Sequence, residues 1–91
     1  EILPNTIMEA MACGTPCVGF RVGGIPEMID HLENGYLANY KDSKDLAKGI
    51  LYVLDEANHE RLAGNARKKI INSYGEKAVA ERYIKIYANE Q

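Results

Sequence analysis

The sequence predicts an α/β fold: a short parallel sheet flanked by helices, running into a purely helical tail. Two apolar runs, Cys17–Phe20 and Gly35–Ala38, have the length and composition of strands buried inside a parallel sheet. Helical patterns stand before and between them, and alternating helix and strand is the signature of a doubly wound sheet. Two strands do not make a stable sheet, so the 91 residues read as part of a larger one.

Residues 6–13 are expected to form the first helix, apolar on most faces through Ile7, Met8, Ala10, Met11 and Ala12, and therefore buried. Gly14 suits the left-handed position past its end, and Thr15-Pro16 stops it. After the first strand, Pro26 at an opening helical position, followed by Glu27, predicts a brief helix to residue 29 or 30. Asn34-Gly35 marks the turn into the second strand. Asp42 or Ser43 then caps a helix whose positions Leu46, Ala47, Ile50, Leu51 and Leu54 recur at the three-and-four spacing of one inward face. A second tail helix covers 58–74, with Leu62, Ala66, Ile70 and Tyr74 on its stripe, and Gly75 breaks it. A third follows over 76–89, with Val79, Tyr83, Ile86 and Tyr87 inward. The expectation is the C-terminal half of one Rossmann-like domain, with strands and loops over 1–40 and a helical tail over 41–91.

A chain this short buries only about 60–70% of the surface its unfolded form exposes. Hydrophobic content of 46% with 26% charged residues is that of a folded globular protein. Neither a secretory leader nor an apolar run of the ~18–20 residues needed for a membrane span is visible. Up to Tyr40, Arg21 is the only Lys or Arg, against Glu1, Glu9, Glu27, Asp30 and Glu33. Beyond Tyr40, ten Lys or Arg and eight Asp or Glu are mixed over helical surfaces. That mixture reads as a solvated face and excludes a nucleic-acid stripe. The two cysteines, Cys13 and Cys17, match no zinc spacing and read as small buried hydrophobes in a reducing, cytoplasmic compartment.

Chemistry concentrates in the first forty residues. Glu1 and Glu9 stand with seven residues between them, across the expected start of the first helix. A helix start leaves amide donors unpaired and carries a partial positive charge, which suits an anion. A phosphate could sit on the amides near Thr6 and Ile7, and Glu9 could accept from two vicinal hydroxyls at once. Thr6-Ile7-Met8-Glu9 is equally a capping box, with Thr6 as cap and Glu9 returning to the Thr6 amide. Both readings stand on the residues alone.

The whole string resembles the nucleotide-sugar site of retaining glycosyltransferases of the GT-B architecture, the group 1 or family-four set. Matching elements are Glu1, Glu9 to Met11, Gly14, Pro16, Gly23, Gly24, Glu27, Asn34 and Gly35, in the family's order, and the likeness covers nearly all of the chain. Many members have Phe-Gly where this chain has Leu3-Pro4-Asn5; the Pro-Asn-Thr version looks like that of polysaccharide-type members.

The resemblance implies transfer of a sugar from a nucleotide-diphosphate sugar to an acceptor hydroxyl, the acceptor being a sugar or a lipid-linked sugar. It implies that Glu1 is catalytic and binds the transferred sugar, that Glu9 holds the ribose, and that the backbone at Asn5, Thr6 and Ile7 contacts sugar and diphosphate. It implies no cofactor and no catalytic metal, a basic pair before Glu1 for the diphosphate, and a cytoplasmic parent, peripheral at the inner membrane face. The segment alone is expected to be inert and to self-associate, through the Cys17–Phe20 edge or the faces of Met8 and Met11. Two rivals remain: a non-catalytic helical interaction domain, and another GT-B enzyme such as a phosphorylase or epimerase.

Overall fold

The computed structural model describes residues 2–77, 80, 81 and 84, with backbone alone for 2–5. The elements follow in the order α1 Ile2–Ala12, β1 Cys17–Phe20, α2 Ile25–Met28, β2 Gly35–Ala38, α3 Ser43–Leu54 and α4 Glu56–Tyr74. The two strands are parallel and in register, Cys17 opposite Gly35 through Phe20 opposite Ala38. Strands, short parallel sheet and following helices agree with the expected fragment of a Rossmann-like domain. Residues 76, 77, 80, 81 and 84 are helical, whereas the expected stripe Val79, Tyr83, Ile86 and Tyr87 lies outside the described residues.

The first helix differs from expectation. It begins at Ile2, not Thr6, because Pro4 falls in its first turn, where a missing N–H is one the helix leaves unpaired anyway. Only one side of it is buried. Ile7, Met8, Met11 and Ala12 enter the main core with Ile25, Met28, Ile29, Leu37, Ala66 and Ile70, while Thr6 is exposed and Glu9 half-buried. Met8 and Met11 are therefore not the sticky faces the sequence suggested. Gly14 takes φ 77° past the helix end, as the sequence predicts, and the Arg67 guanidinium (Nη1) donates to the Ala12 carbonyl at 3.1 Å.

A larger correction concerns α3. Ala47, Ile50, Leu51 and Leu54 point outward, Leu51 being 72% exposed, and the buried positions are Gly49 and Val53, with Leu46 half-buried beside them. Gly49 turns the helix this way, since it lets the backbone lie directly on the Tyr36 ring; a Cβ there would strike that ring and Val18. In α4 the stripe Leu62, Ala66 and Ile70 is buried as read, but Tyr74 is exposed.

The sheet has one finished edge. The Arg21 amide donates to the Ala38 carbonyl at 2.8 Å, which fixes the ladder's alternation: Cys17 and Gly19 face β2, and Gly35, Leu37 and Asn39 face away from β1. Each of those outward positions is closed locally. Leu32 N–H donates to the Gly35 carbonyl at 2.9 Å, Leu37 N–H to His31 Nδ1 at 2.9 Å, and Asn39 N–H to Asp45 Oδ2 at 2.8 Å. On β1 the outward groups belong to Val18 and Phe20. The Phe20 carbonyl takes the Val22 amide at 2.8 Å, and no described residue closes Val18. All four β1 residues are half-buried while all four of β2 are buried. Among the described residues, β1 presents the more open edge of the sheet.

Asp45 does more than close that edge. Its Oδ1 also accepts from the Tyr36 hydroxyl at 2.6 Å. The Tyr36 hydroxyl first, then the Asn39 amide, hold the Asp45 carboxyl below its usual range, and the same bond raises the Tyr36 phenol. A carboxyl with a depressed folded pKa stabilises the fold above the ordinary carboxylate range and loses that contribution as pH falls through its folded value. The raised phenol does the reverse: its contribution is complete below the ordinary phenol range and fades as pH rises. Asp45→Ala should lower the melting temperature at neutral pH and flatten its decline in acid. Melts from pH 2 to 7 check this, and an acid limb as steep as wild type would contradict it.

Candidate functional site

In an open parallel sheet, ligands bind outside the carboxyl ends of the strands. Here those ends open onto Arg21, Val22, Gly23 and Gly24 after β1, and onto Asn39, Tyr40 and Lys41 after β2. Helix α1 ends four residues before β1 begins and folds back along it, so its N-terminus points to this same rim.

The expected site residues that the structure describes, Asn5, Thr6, Ile7 and Glu9, all belong to that helix. Glu1 lies outside the described residues, and Asn5 is placed as a backbone position of α1. Thr6 and Glu9 stand three apart on successive turns, which brings them together on the side of the helix away from the core. Ile7 turns its side chain inward, where it is 8% exposed.

The earlier helix start changes the electrostatics. With α1 beginning at Ile2, the Thr6 and Ile7 amides lie in the second turn, where a helix uses them for its own bonds four residues back. The unpaired donors belong to the first turn, about one turn nearer Glu1. Thr6 is not an N-cap, so the capping box fails as an account of Glu9.

Other motif residues prove to be architectural. Asn34 is 2% exposed; its Oδ1 accepts from Asp30 N–H at 2.8 Å and its Nδ2 donates to Asp30 Oδ2 at 3.3 Å. Gly35 lacks a side chain because a Cβ would fall on the Cys17 carbonyl oxygen. Gly23 supplies φ 61° in the turn after β1. Cys17 is half-buried, and burial pushes its thiol pKa up, which fits an unreactive sulfur.

Sequence reading missed three cations of α4, which it treated as a solvated face. Arg61 Nη1 donates to the Leu32 carbonyl at 2.9 Å, Arg67 reaches Ala12, and Lys69 pairs with Asp30 at 3.2 Å. These contacts span 29, 55 and 39 residues, so no local pattern could have signalled them. An open polar cleft lined by Asp30, Glu33, Asn34, Asn65, Lys68, Lys69 and Asn72 lies beside the loop entering β2, at the opposite end of the sheet from the ligand rim. No helix among the described residues is long and apolar enough to cross a membrane.

Fold and rim together define part of an α/β protein in which the carboxyl ends of both strands and the start of α1 share one rim. Residues 1–69 match the family described as glycosyl transferases group 1, and the chain belongs to it. An N-acetyl-alpha-D-glucosaminyl L-malate synthase of Bacillus anthracis is 39% identical over 82 residues, covering 89% of this chain and 22% of the relative. An N,N'-diacetylbacillosaminyl-diphospho-undecaprenol alpha-1,3-N-acetylgalactosaminyltransferase of Campylobacter jejuni is 36% identical over 88 residues, covering 96% and 23%. An uncharacterized glycosyltransferase of Methanocaldococcus jannaschii is 36% identical over 81 residues, covering 88% and 21%. The chain thus spans between a fifth and a quarter of the length of these relatives.

Proposed function

We propose that this chain is the donor-binding part of a retaining glycosyltransferase, which moves a sugar from a nucleotide-diphosphate sugar to an acceptor hydroxyl. The observation that carries the reading is the family match over residues 1–69, which spans Glu1, Glu9, both strands and the Gly23-Gly24 turn. The bond between anomeric carbon and diphosphate oxygen breaks, the acceptor oxygen bonds to the same carbon on the same face, and the acceptor proton leaves with the nucleotide diphosphate. Glu1 holds hydroxyls of the transferred sugar and serves as the catalytic carboxylate. Glu9 accepts from both ribose hydroxyls. Asn5, Thr6 and Ile7 supply backbone contacts to sugar and diphosphate, with the anion toward the first turn of α1.

The relatives' names support a place in glycoconjugate or polysaccharide synthesis, since they include a diphospho-undecaprenol sugar transferase and an amylovoran biosynthesis glycosyltransferase. The acceptor is accordingly a sugar or lipid-linked sugar, and the parent works in the cytoplasm, peripheral at the inner membrane face. Charge argues that the segment alone is inert. A diphosphate brings two negative charges, and a helix terminus offers only about half a positive one. The remaining cations come from the rest of the enzyme. Self-association of the isolated segment runs through Val18 and Phe20, on the edge that remains open.

Calorimetric titration with a panel of nucleotide sugars tests this. The longer protein carrying the segment binds at least one of them, while residues 1–91 alone bind more weakly than about millimolar. Micromolar binding by the segment would overturn the charge argument, and no binding by the longer protein would favour the helical interaction domain.

A further inference from the structure

Helix α3 carries about twice the apolar surface that one core face uses. At about 100° per residue its apolar positions run from Gly49 through Leu46 and Leu54 to Leu51 over an arc of about 200°, broken only by Ser43 at the helix start. A helix with one buried side needs about 100°. One half of the arc covers the sheet: Gly49 lies on Tyr36 and Val18, Val53 is buried and Leu46 half-buried. The other half is open, with Ile50, Leu54 and Leu51 at 45%, 69% and 72% exposure and Ala47 exposed among them.

That open flank has a direction. Asp45 and Tyr52, on the other side of α3, hang over the edge of β2 that they help to close. Asp45 takes the Asn39 amide, and the Tyr52 hydroxyl donates to the Leu32 carbonyl at 3.4 Å. Ile50, Leu54 and Ala47 stand roughly 140–180° round the helix from those two, so they lean toward β1 and the more open edge.

The crossovers point the same way. Leu37 shares its core with α1 and α2, whereas Tyr36 and Ala38, on the opposite face of the sheet, cluster with Val53 of α3. Crossovers between parallel strands are right-handed in about 98% of cases, and two of one hand on one face step in one direction. The chain steps from β1 to β2 through α2. A strand feeding α1 therefore enters on the far side of β1, where the α3 flank leans.

The geometry points to a helix-docking surface: Ala47, Ile50, Leu51 and Leu54 receive the apolar face of a helix from the rest of the same, longer chain, laid beside α3 over strands that continue the sheet past β1. The inference rests on the reading of residues 1–91 as part of a larger glycosyltransferase. Strand and helix arrive as one unit, because parallel strands need a crossover to join them. Chain for it is ample in the relatives, of which this segment covers 22%, 23% and 21%. In residues 1–91 alone the flank stays open, and truncating its leucines costs little there.

Hydroxyl-radical footprinting of the longer protein, in buffer without detergent or lipid, reads the native side chains directly. Leu32, in the loop on the β2 side, is the internal reference at 42% exposure, while a core leucine such as Leu37 keeps 4%. Leu51 and Leu54 should be oxidised about tenfold or more slowly than Leu32, at every dilution down to the monomer. Oxidation as fast as that of Leu32 would overturn the docking surface. Protection lost on dilution would give the flank to a second copy, and protection gained only with phosphatidylglycerol vesicles would give it to a membrane; either result overturns it as well. Titration of nucleotide sugars on the same sample decides the glycosyltransferase reading separately. Open leucines in a protein that binds donor remove the docking surface alone, and protected leucines in one that binds none remove the enzyme reading alone.

Discussion

Gly35→Ala should melt this domain at a much lower temperature than wild type. The added methyl would fall on the Cys17 carbonyl oxygen, with the Cys17 carbonyl carbon at 3.4 Å and Ile29 Cγ2 at 3.1 Å. The oxygen is backbone in the paired strand, so relief requires separating β1 from β2, not rotating a side chain. Overpacking of this kind costs about 1–3 kcal/mol where side chains can yield, and the larger figure is expected here. Small domains hold only about 5–15 kcal/mol in total. A denaturant midpoint close to wild type would show that the strands are not in the register described. Gly64→Ala is the control: nothing lies within 4 Å of the added methyl, and helix propensity favours the change.

Leu62→Ala is the second large effect. Leu62 is fully buried in α4, in the smaller cluster formed with Tyr36, Ala38 and Val53, which fastens the tail to β2. Truncating a leucine in such a site costs about 2–5 kcal/mol, because the transfer energy is lost and a cavity remains. Leu51→Ala and Leu54→Ala are expected within about ±0.5 kcal/mol, since both side chains are exposed. Chemical denaturation of the three variants separates the observed packing of α3 from the face its periodicity suggested. A large loss at Leu51 with a small one at Leu62 would contradict the fold described.

Both strands were legible to the residue, because apolar runs bounded by Pro16 and by Asn34-Gly35 leave little freedom in where they start. The orientation of α3 was not. Its apolar residues allow two faces rotated by about one residue, and hydrophobicity ignores the glycine that decides between them. Gly49 matters through the ring it admits, and Tyr36 lies 13 positions away. The start of α1 was not legible, because the apolar run that marks the helix opens only near Thr6, whereas the helix takes Ile2 to Asn5 as well, Pro4 being tolerated in a first turn. In the candidate site, sequence named Thr6 and Glu9 and left capping and ligand roles both open. Helix geometry removes the capping role, since a residue inside the second turn cannot cap. The contact of Phe20 with Tyr40 had no sequence signal, because the two rings meet only once the strands pair in parallel register.

The proposed donor site stands or falls on Glu9 as a ribose ligand. Glu9→Ala in the longer protein tests it most directly, with donor affinity and melting temperature measured on the same sample. If Glu9 holds the ribose, its contacts are made in ground and transition states alike, so their loss should raise the donor dissociation constant by about tenfold or more. Glu1→Ala should instead act mainly on turnover. A Glu9→Ala protein that binds donor normally but loses about 0.5–3 kcal/mol of stability would show that the carboxylate serves the fold, and the donor assignment would be wrong.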